Sequence, residues 1–157
     1  MTWNELADYF LKVAEEAGEA LPQIVAEEAT EYYKDTFNKK GFDGNLWPEA
    51  KNEKKTGSLL VESGALVNSI QPSLISPDKV VISAGNEEVT YAKAHNEGFK
   101  GQVTVPAHTR RTKHGPVNVD QHNKQMNLPQ RQFMGESKEL AARMVERIET
   151  FLGNILH

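Results

Sequence analysis

The chain has 157 residues, of which 38% are hydrophobic, 25% charged and 8% aromatic, and it contains no cysteine. This length suits one hydrophobic core, and the 6 Phe, 4 Tyr and 2 Trp exclude a wholly disordered chain. The lack of cysteine excludes disulfide scaffolds, thiolate metal sites and cysteine nucleophiles. The chain contains no run of about 18 apolar residues, so no membrane span is predicted. The N-terminus MTWNELADYF lacks the basic and apolar regions of a signal peptide. We therefore expect a single domain over residues 1–157 that stays in the cytoplasm unless it leaves as part of something larger.

The formal net charge of −4 is unevenly distributed along the chain. Residues 1–36 hold nine acidic and two basic side chains, whereas residues 100–131 hold six basic side chains and one acidic side chain. Opposite charges on one small domain favour head-to-tail contact between copies, or contact with an acidic partner. The alternative is that both segments are ordinary solvated surfaces.

Hydrophobic periodicity predicts one amphipathic helix, or two, over the first 37 residues. Thr2 and Glu5 have the spacing of a capping box, in which each residue bonds the backbone of the other. Apolar residues recur every three or four positions over residues 3–17, and a second stripe covers residues 21–37. Pro22 is tolerated in a first helical turn and leaves open whether the helix is interrupted there. We expect the apolar side to face the core and the acidic side to face solvent.

Residues 38–58 are polar and rich in glycine, and they predict a loop because they show no periodicity. Its large apolar residues are Phe42, Leu46 and Trp47. We interpret these three side chains as anchors that hold the loop to the core.

Short elements are predicted in the middle of the chain. Residues 63–70 predict a capped helical turn that leads into a strand. Alternating apolar residues over 70–76 and 79–84 predict a β-hairpin with a tight turn. Residues 91–98 predict a brief helix that stops at its final glycine, and residues 103–105 predict a strand.

Residues 106–128 are basic and polar, and we interpret them as a β-ribbon or a long loop with a turn at 113–116. Ser137 then caps a last helix, whose apolar stripe is expected to face inward and consists of Leu140, Met144, Ile148, Phe151, Leu152 and Ile155. Strands that lie between terminal helices without βαβ alternation predict an α+β fold. In this fold a small antiparallel sheet with hairpins carries the C-terminal helix.

Signatures of catalysis are sparse. The histidines at positions 95, 108, 114 and 122 lack the regular spacing of zinc ligands, and we interpret them as solvated or packed side chains. A metal-dependent nuclease is an alternative, built on His108, Asn118, His122 and Asn123, but it needs metal ligands on a helix that this segment does not predict. The chain has no nucleophile elbow, P-loop or dinucleotide fingerprint. We therefore expect a protein that is not an enzyme and that uses no cofactor and no metal.

Nucleic-acid binding is a second alternative, since Arg110, Arg111, Lys113 and Lys124 could contact phosphates. The isoelectric point of about 5.8 argues against it. So does the lack of aromatic residues between positions 100 and 131, because single-strand binders stack bases on aromatic rings.

Two residue pairs are candidates for a structural or interface role, one in the predicted helix 91–98 and one just after the basic segment 106–128. Tyr91 and His95 are four residues apart, so they are expected to pack or to form a hydrogen bond on one helix face. Arg131 lies beside Phe133, which places a charged fork next to an apolar anchor. We interpret this second pair as structural or interface residues.

Five short segments, in this order, resemble the phage virion morphogenesis, or tail completion, family. They are the helix ending near Phe37; the loop with Gly44, Leu46, Trp47 and Pro48; Leu59-Leu60 with Ser63-Gly64-Ala65-Leu66 and Ser69-Ile70; Tyr91-Ala92 with His95 and Gly98; and the stretch from Leu128 to Gly135. In the family the strand before the last segment usually leads into it directly. Residues 106–128 therefore stand out as an insertion.

The resemblance implies a structural protein of a phage or prophage that completes the tail or joins head and tail by protein–protein assembly. The implied partners are other neck and tail proteins and further copies of the chain in an oligomeric ring around the DNA channel, with only passive contact to DNA. The resemblance implies no membrane and no small-molecule substrate. The implied location is the host bacterial cytoplasm during assembly, then the virion. We expect residues 106–128 to project towards a neighbouring subunit, another neck protein or DNA.

Overall fold

The fold is that of a computed structural model, which describes residues 1–51, 60–61 and 63–157. Its elements are α1 (Trp3–Lys39), β1 (Gly41–Phe42), β2 (Asn45–Leu46), α2 (Ala65–Asn68), β3 (Gln71–Ile75), β4 (Val80–Ser83), α3 (Ala92–Glu97), β5 (Phe99–Val105), β6 (His108–Thr112), β7 (Gly115–Val119), β8 (His122–Leu128) and α4 (Lys138–Ile155). The predicted α+β class is confirmed. The described strands pair antiparallel in four two-stranded units, β1–β2, β3–β4, β5–β8 and β6–β7.

Helix α1 is one continuous helix that contains Pro22, so the two predicted stripes belong to a single element. The predicted capping box is confirmed. The Thr2 hydroxyl accepts a hydrogen bond from the Glu5 amide, and the Glu5 carboxylate accepts one from the Thr2 amide over 2.6 Å. The helix ends where Lys40 adopts a left-handed conformation with φ 54°.

The first stripe of α1 is largely exposed, so the prediction that it faces the core is wrong. Trp3 is 86% exposed and Phe10 is 56% exposed. The cause is the length of α4, the antiparallel partner of α1, which ends at Ile155. The Tyr9 hydroxyl donates to the carbonyl of Leu156 over 3.4 Å, so the first turns of α1 extend beyond the end of α4.

The core lies against the C-terminal half of α1. Its larger cluster joins α1 to the loop after β2, to α2 and α3, and to the segment before α4; the cluster contains Phe37, Trp47, Leu66, Ile70, Val89, Ala92 and Phe133. A second cluster joins α1 to β1 and α4, and contains Ala29, Tyr32, Phe42 and Leu140. Both stripes of the sequence thus belong to one helix, but only the second one reaches the core.

Helix α4 packs chiefly along α1. Its start also contacts the β1–β2 hairpin, through Leu140 against Phe42 and through the hydrogen bonds to Asp43. Leu140 is buried as expected, but the rest of the predicted inward stripe is half-buried, namely Met144, Ile148, Phe151, Leu152 and Ile155. One neighbouring helix covers only part of a wide apolar stripe. The predicted cap is confirmed, since the Ser137 hydroxyl accepts from the Leu140 amide over 3.0 Å.

The segment after α1 begins with a tight hairpin, whereas an irregular loop was predicted over 38–58. Residues 52–58 of that predicted loop lie outside the described residues. Asp43 and Gly44 both have positive φ, of 49° and 83°, which is the geometry of the type I′ turn that joins two strands. Trp47 and Phe42 are buried anchors as predicted, but Leu46 is 82% exposed and the prediction for it is wrong. Successive residues of an extended chain alternate faces, so the inward Trp47 leaves Leu46 facing solvent.

The short elements predicted between residues 63 and 98 are present. Helix α2 follows Gly64, and strands β3 and β4 form the predicted hairpin. Helix α3 ends at Gly98, whose φ of 78° favours glycine.

Residues 99–128 form a long two-stranded ribbon, which we call the basic ribbon. The prediction of a β-ribbon over residues 106–128 is confirmed, but the ribbon begins at Phe99, before the predicted boundary at 106. Val105 pairs with His122 and His108 pairs with Val119, so both strands break at the same level. At about 3.3 Å per residue, one strand of the ribbon spans roughly 40 Å. The turn is at Lys113 and His114, within the predicted stretch.

None of the helices in the described part of the chain has the length and apolar character needed to cross a membrane.

Candidate functional site

Residues 130–134 form a junction with the last turn of α3. The side-chain oxygen of Asn96 accepts hydrogen bonds from the amides of Phe133 and Met134, over 2.9 and 3.0 Å. The Arg131 amide donates to the carbonyl of His95 over 2.9 Å. The end of a short helix therefore fixes the path of the segment that leads to α4.

Arg131 and Phe133 are both buried at this junction. Phe133 is 1% exposed, and its ring centroid lies 5.2 Å from that of Phe37. The Arg131 guanidinium donates from Nε to the carbonyl of Pro48 over 3.0 Å and from Nη2 to that of Glu49 over 3.1 Å. Burial lowers the pKa of Arg131 below its ordinary value, because desolvation disfavours the charged form. These positions favour the structural role that we predicted as one of two alternatives.

Two further contacts close the junction. The Trp47 indole donates to the carbonyl of Gln132 over 2.7 Å. A Cβ at Gly98 would lie 3.1 Å from the backbone nitrogen of Gln130, so glycine is needed for close approach as well as for its positive φ. The loop after β2, the end of α3 and residues 130–134 are therefore held as one unit.

Tyr91 and His95 share a face of α3, as their spacing predicts. Their ring centroids are 5.7 Å apart in an edge-to-face arrangement with an interplanar angle of 88°. Tyr91 is 42% exposed, so this pair lies at the rim of the junction. Packing, one of the two predicted interactions, is present.

Sequence reasoning missed Asn96 and Asp43. One Asp43 carboxylate oxygen accepts from the Ser137 hydroxyl over 2.9 Å and from the Glu139 amide over 3.1 Å, at the start of α4. The hydrogen bond from the Glu139 backbone is the largest cause that lowers the pKa of Asp43. The Asp43-Gly44 pair is a strong hairpin signal that could have revealed β1 and β2. For Asn96 the sequence offers only an amide residue two positions before a glycine stop.

The cations of the basic ribbon are solvent-exposed. Arg110 lies opposite Val117, Arg111 opposite Pro116 and Lys124 opposite Val103, while Lys113 is in the turn. Neighbouring strand residues point to opposite faces, so Arg110 and Arg111 place charge on both sides of the ribbon. Within the ranges that the structure describes, no carboxylate pairs with these four predicted site residues.

The histidines of the ribbon are separated along it. Nδ1 of His108 lies 2.9 Å from the carbonyl of Pro106, and Nδ1 of His122 lies 2.9 Å from that of Asp120. Asn118 and Asn123 accept hydrogen bonds from threonines of the facing strands. The residues of the nuclease alternative therefore lie on strands, without the helix that such a site needs. Among the described residues, no group of three or more His, Asp and Glu could hold a metal ion.

Acidic residues of α1 fall into two groups. In the C-terminal half, Glu28 accepts from Arg143 over 2.8 Å and from Arg147 over 2.9 Å, and its side chain is 8% exposed. Residues 3–20, which we call the acidic helix half, carry a second set that is exposed: Glu5, Asp8, Glu15, Glu16 and Glu19. In the described ranges these five carboxylates form no ion pair.

No protein-family profile matches the chain, and no curated protein or solved structure matches it. The described residues include a buried junction around Arg131 and Phe133 and two exposed surfaces of opposite charge, the acidic helix half and the basic ribbon. Such surfaces are suited to binding and orienting a charged partner.

Proposed function

We propose that the protein is a non-enzymatic structural component of a phage or prophage, which completes the tail or joins head and tail by protein–protein assembly. The observation that supports this proposal is the convergence of the five resembling segments. Each contributes to the larger core cluster, through Phe37, Trp47, Ile70, Ala92 and Phe133 respectively. Segments that share a fold are expected to pack on one another in one core, and these five do.

The exposed surfaces support an assembly role. Charged surfaces mainly set the orientation and rate of encounter, whereas apolar anchors such as Trp3 and Phe10 supply affinity. The proposed partners are other neck and tail proteins and further copies of the chain in a ring. The protein acts in the host bacterial cytoplasm during assembly and then in the virion, with passive contact to DNA and without a cofactor.

Removal of the gene from the phage or prophage that carries it tests this proposal. We expect filled heads and tails to remain separate or the tails to stay incomplete. Supplying the chain in trans should restore joined particles, as counted by plaque assay and electron microscopy. Normal numbers of infectious particles in the absence of the chain would contradict the proposal.

A shortened ribbon gives a sharper test. Residues 106–121 are replaced by Asn-Gly, which joins Val105 to His122 and keeps the register of β5 and β8. We expect a folded protein, by circular dichroism, that fails to restore particles. Lys79→Glu, in the exposed turn of the β3–β4 hairpin, is the control and should restore them. Full restoration by the shortened chain would exclude a role of the ribbon in assembly.

The nuclease alternative is tested separately. Plasmid DNA is incubated with the full chain and magnesium, manganese or zinc ions. We expect the plasmid to remain intact. Cleavage that His122→Ala abolishes would overturn the structural proposal.

A further inference from the structure

The fold leaves two oppositely charged surfaces without a charged partner in the described part of the chain. The acidic helix half holds five carboxylates and Lys12, and the basic ribbon holds five cations and Asp120. Their net charges are therefore −4 and +4. An equal and opposite pair on one chain is suited to contact between two copies.

We propose that the basic ribbon of one copy docks on the acidic helix half of a second copy. The ribbon of the second copy remains free for a third, so the contact is head-to-tail. A head-to-tail contact closes into a ring or continues as a filament, depending on the rotation between copies. In biological terms this inference rests on the proposed function, because it supplies the lateral contact of the assembly.

In the described residues, the side chains of the ribbon form hydrogen bonds only within the ribbon. Its side-chain hydrogen bonds join its own strands, as between Thr104 and Asn123 and between Thr109 and Asn118. A two-stranded hairpin is marginally stable in water unless a further layer covers its apolar face. A docked helix from another copy would be such a layer.

Apolar side chains accompany the charges on both surfaces. On the ribbon, strand alternation and register place Phe99, Val103, Val105, Met126 and Leu128 on one face, and each of them remains partly or fully exposed. On the acidic helix half, Trp3 and Phe10 are exposed by more than half. Stable interfaces combine such apolar contacts with a polar and charged rim.

The ribbon is long enough to cover the acidic helix half. The acidic helix half spans about 27 Å at 1.5 Å per residue, and the ribbon spans roughly 40 Å. DNA would meet only the ribbon and would be repelled by the carboxylates of the helix. A second copy satisfies both surfaces, so the charges favour it as the occupant.

Charge reversal in the full chain tests the contact. One variant reverses the ribbon (Arg110→Glu, Arg111→Glu, Lys113→Glu) and another reverses the helix (Glu15→Lys, Glu16→Lys, Glu19→Lys). In sedimentation velocity at low salt, we expect the wild type to self-associate and each variant to do so at least about tenfold more weakly. About 0.5 M salt should weaken the wild type in the same direction.

Combinations of the variants separate docking from misfolding. A mixture of the two variants should associate in a 1:1 ratio. The intact basic ribbon of one variant meets the intact acidic helix half of the other, and the acidic ribbon of the second meets the basic helix of the first. The chain with all six reversals should self-associate again, through an acidic ribbon on a basic helix. Glu146→Lys with Glu149→Lys, at exposed positions of α4, is the matched control and should behave as the wild type.

Several outcomes would overturn the inference. They are a wild type that stays monomeric at low salt, a six-reversal chain that does not associate, and variants that do not pair when mixed. Binding of duplex DNA that the ribbon reversal abolishes, with a monomeric wild type, would assign the ribbon to nucleic acid. If one of these results occurs while the wild-type chain still restores infectious particles, the proposed function stands. If the wild-type chain self-associates as expected but does not restore infectious particles, the result counts against the proposed function alone.

Discussion

The two halves of α1 have similar sequence patterns and different surroundings. Both halves show apolar residues at helical spacing, yet the C-terminal half buries Ala29, Tyr32 and Phe37, while the N-terminal half leaves Trp3 and Phe10 exposed. Periodicity defines an apolar face, but the length of the neighbouring element decides whether that face is covered. Here α4 ends before it reaches the first turns of α1.

The same contrast holds for charge. Glu28 is nearly buried and bridges two arginines of α4, whereas Glu16 is exposed and forms no ion pair in the described ranges. One half of the helix thus uses its carboxylates inside the subunit. The other half keeps them available for contacts outside it.

The largest expected effect is at Phe133, which packs against the C-terminal half of α1. Phe133→Ala removes a ring that is 1% exposed and packs on Phe37, so we expect a loss of about 4 kcal/mol in the free energy of unfolding. Urea denaturation measures this loss. Phe133→Leu keeps an apolar side chain and should cost clearly less. Equal losses for both variants would mean that ring packing does not stabilise the junction.

The next effect compares the two kinds of carboxylate directly. Glu28→Ala leaves Arg143 and Arg147 without their shared partner, and we expect a loss of about 2 to 3 kcal/mol, discounted because both arginines are about one-third exposed. Glu16→Ala is the matched variant and should change stability by less than about 0.5 kcal/mol. Similar losses at both positions would erase the distinction between the halves.

A smaller effect depends on pH and concerns the start of α4. The pKa of Asp43 is lowered in the folded protein, so its contribution is present above the unfolded value, which is about 3.9, and is lost as the pH falls through the folded value. Asp43→Asn should therefore reduce the loss of thermal stability on acidification below about pH 4. Melting temperatures between about pH 3 and pH 6 measure it, with Asp120→Asn as the control. If the melting temperature of Asp43→Asn falls on acidification as much as that of the wild type, this capping role is excluded.

Local features of the fold could be predicted from the sequence because their causes are local. Thr2 with Glu5, Ser137 and Gly98 set helix ends through neighbours within a few residues, and all three helix ends were confirmed. The wrong prediction for Leu46 also has a local cause. The Asp43-Gly44 turn specifies a hairpin, and in its extended second strand Leu46 and Trp47 face opposite sides.

The candidate site was less predictable for a physical reason. Arg131 bonds backbone carbonyls of Pro48 and Glu49, which are chemically the same in every residue and leave no side-chain signature. The Asn96 side chain accepts hydrogen bonds from two backbone amides that are distant in sequence, so only the tertiary structure identifies its role. The sequence alone identified the ribbon cations as a charged segment. It could not show that they have no carboxylate partner within the described residues.

The smallest expected effect on folding is at the uncovered half. Phe10→Ser removes an exposed ring, so we expect the free energy of unfolding to change by less than about 0.5 kcal/mol. The same variant should weaken self-association at low salt, because the ring lies beside the acidic face that the ribbon is proposed to meet. Val145→Ser, at an exposed position of α4, is the control for both measurements. A large loss of stability in Phe10→Ser with unchanged association would mean that the ring serves the fold of its own subunit, and the contrast between the two halves of α1 would fail.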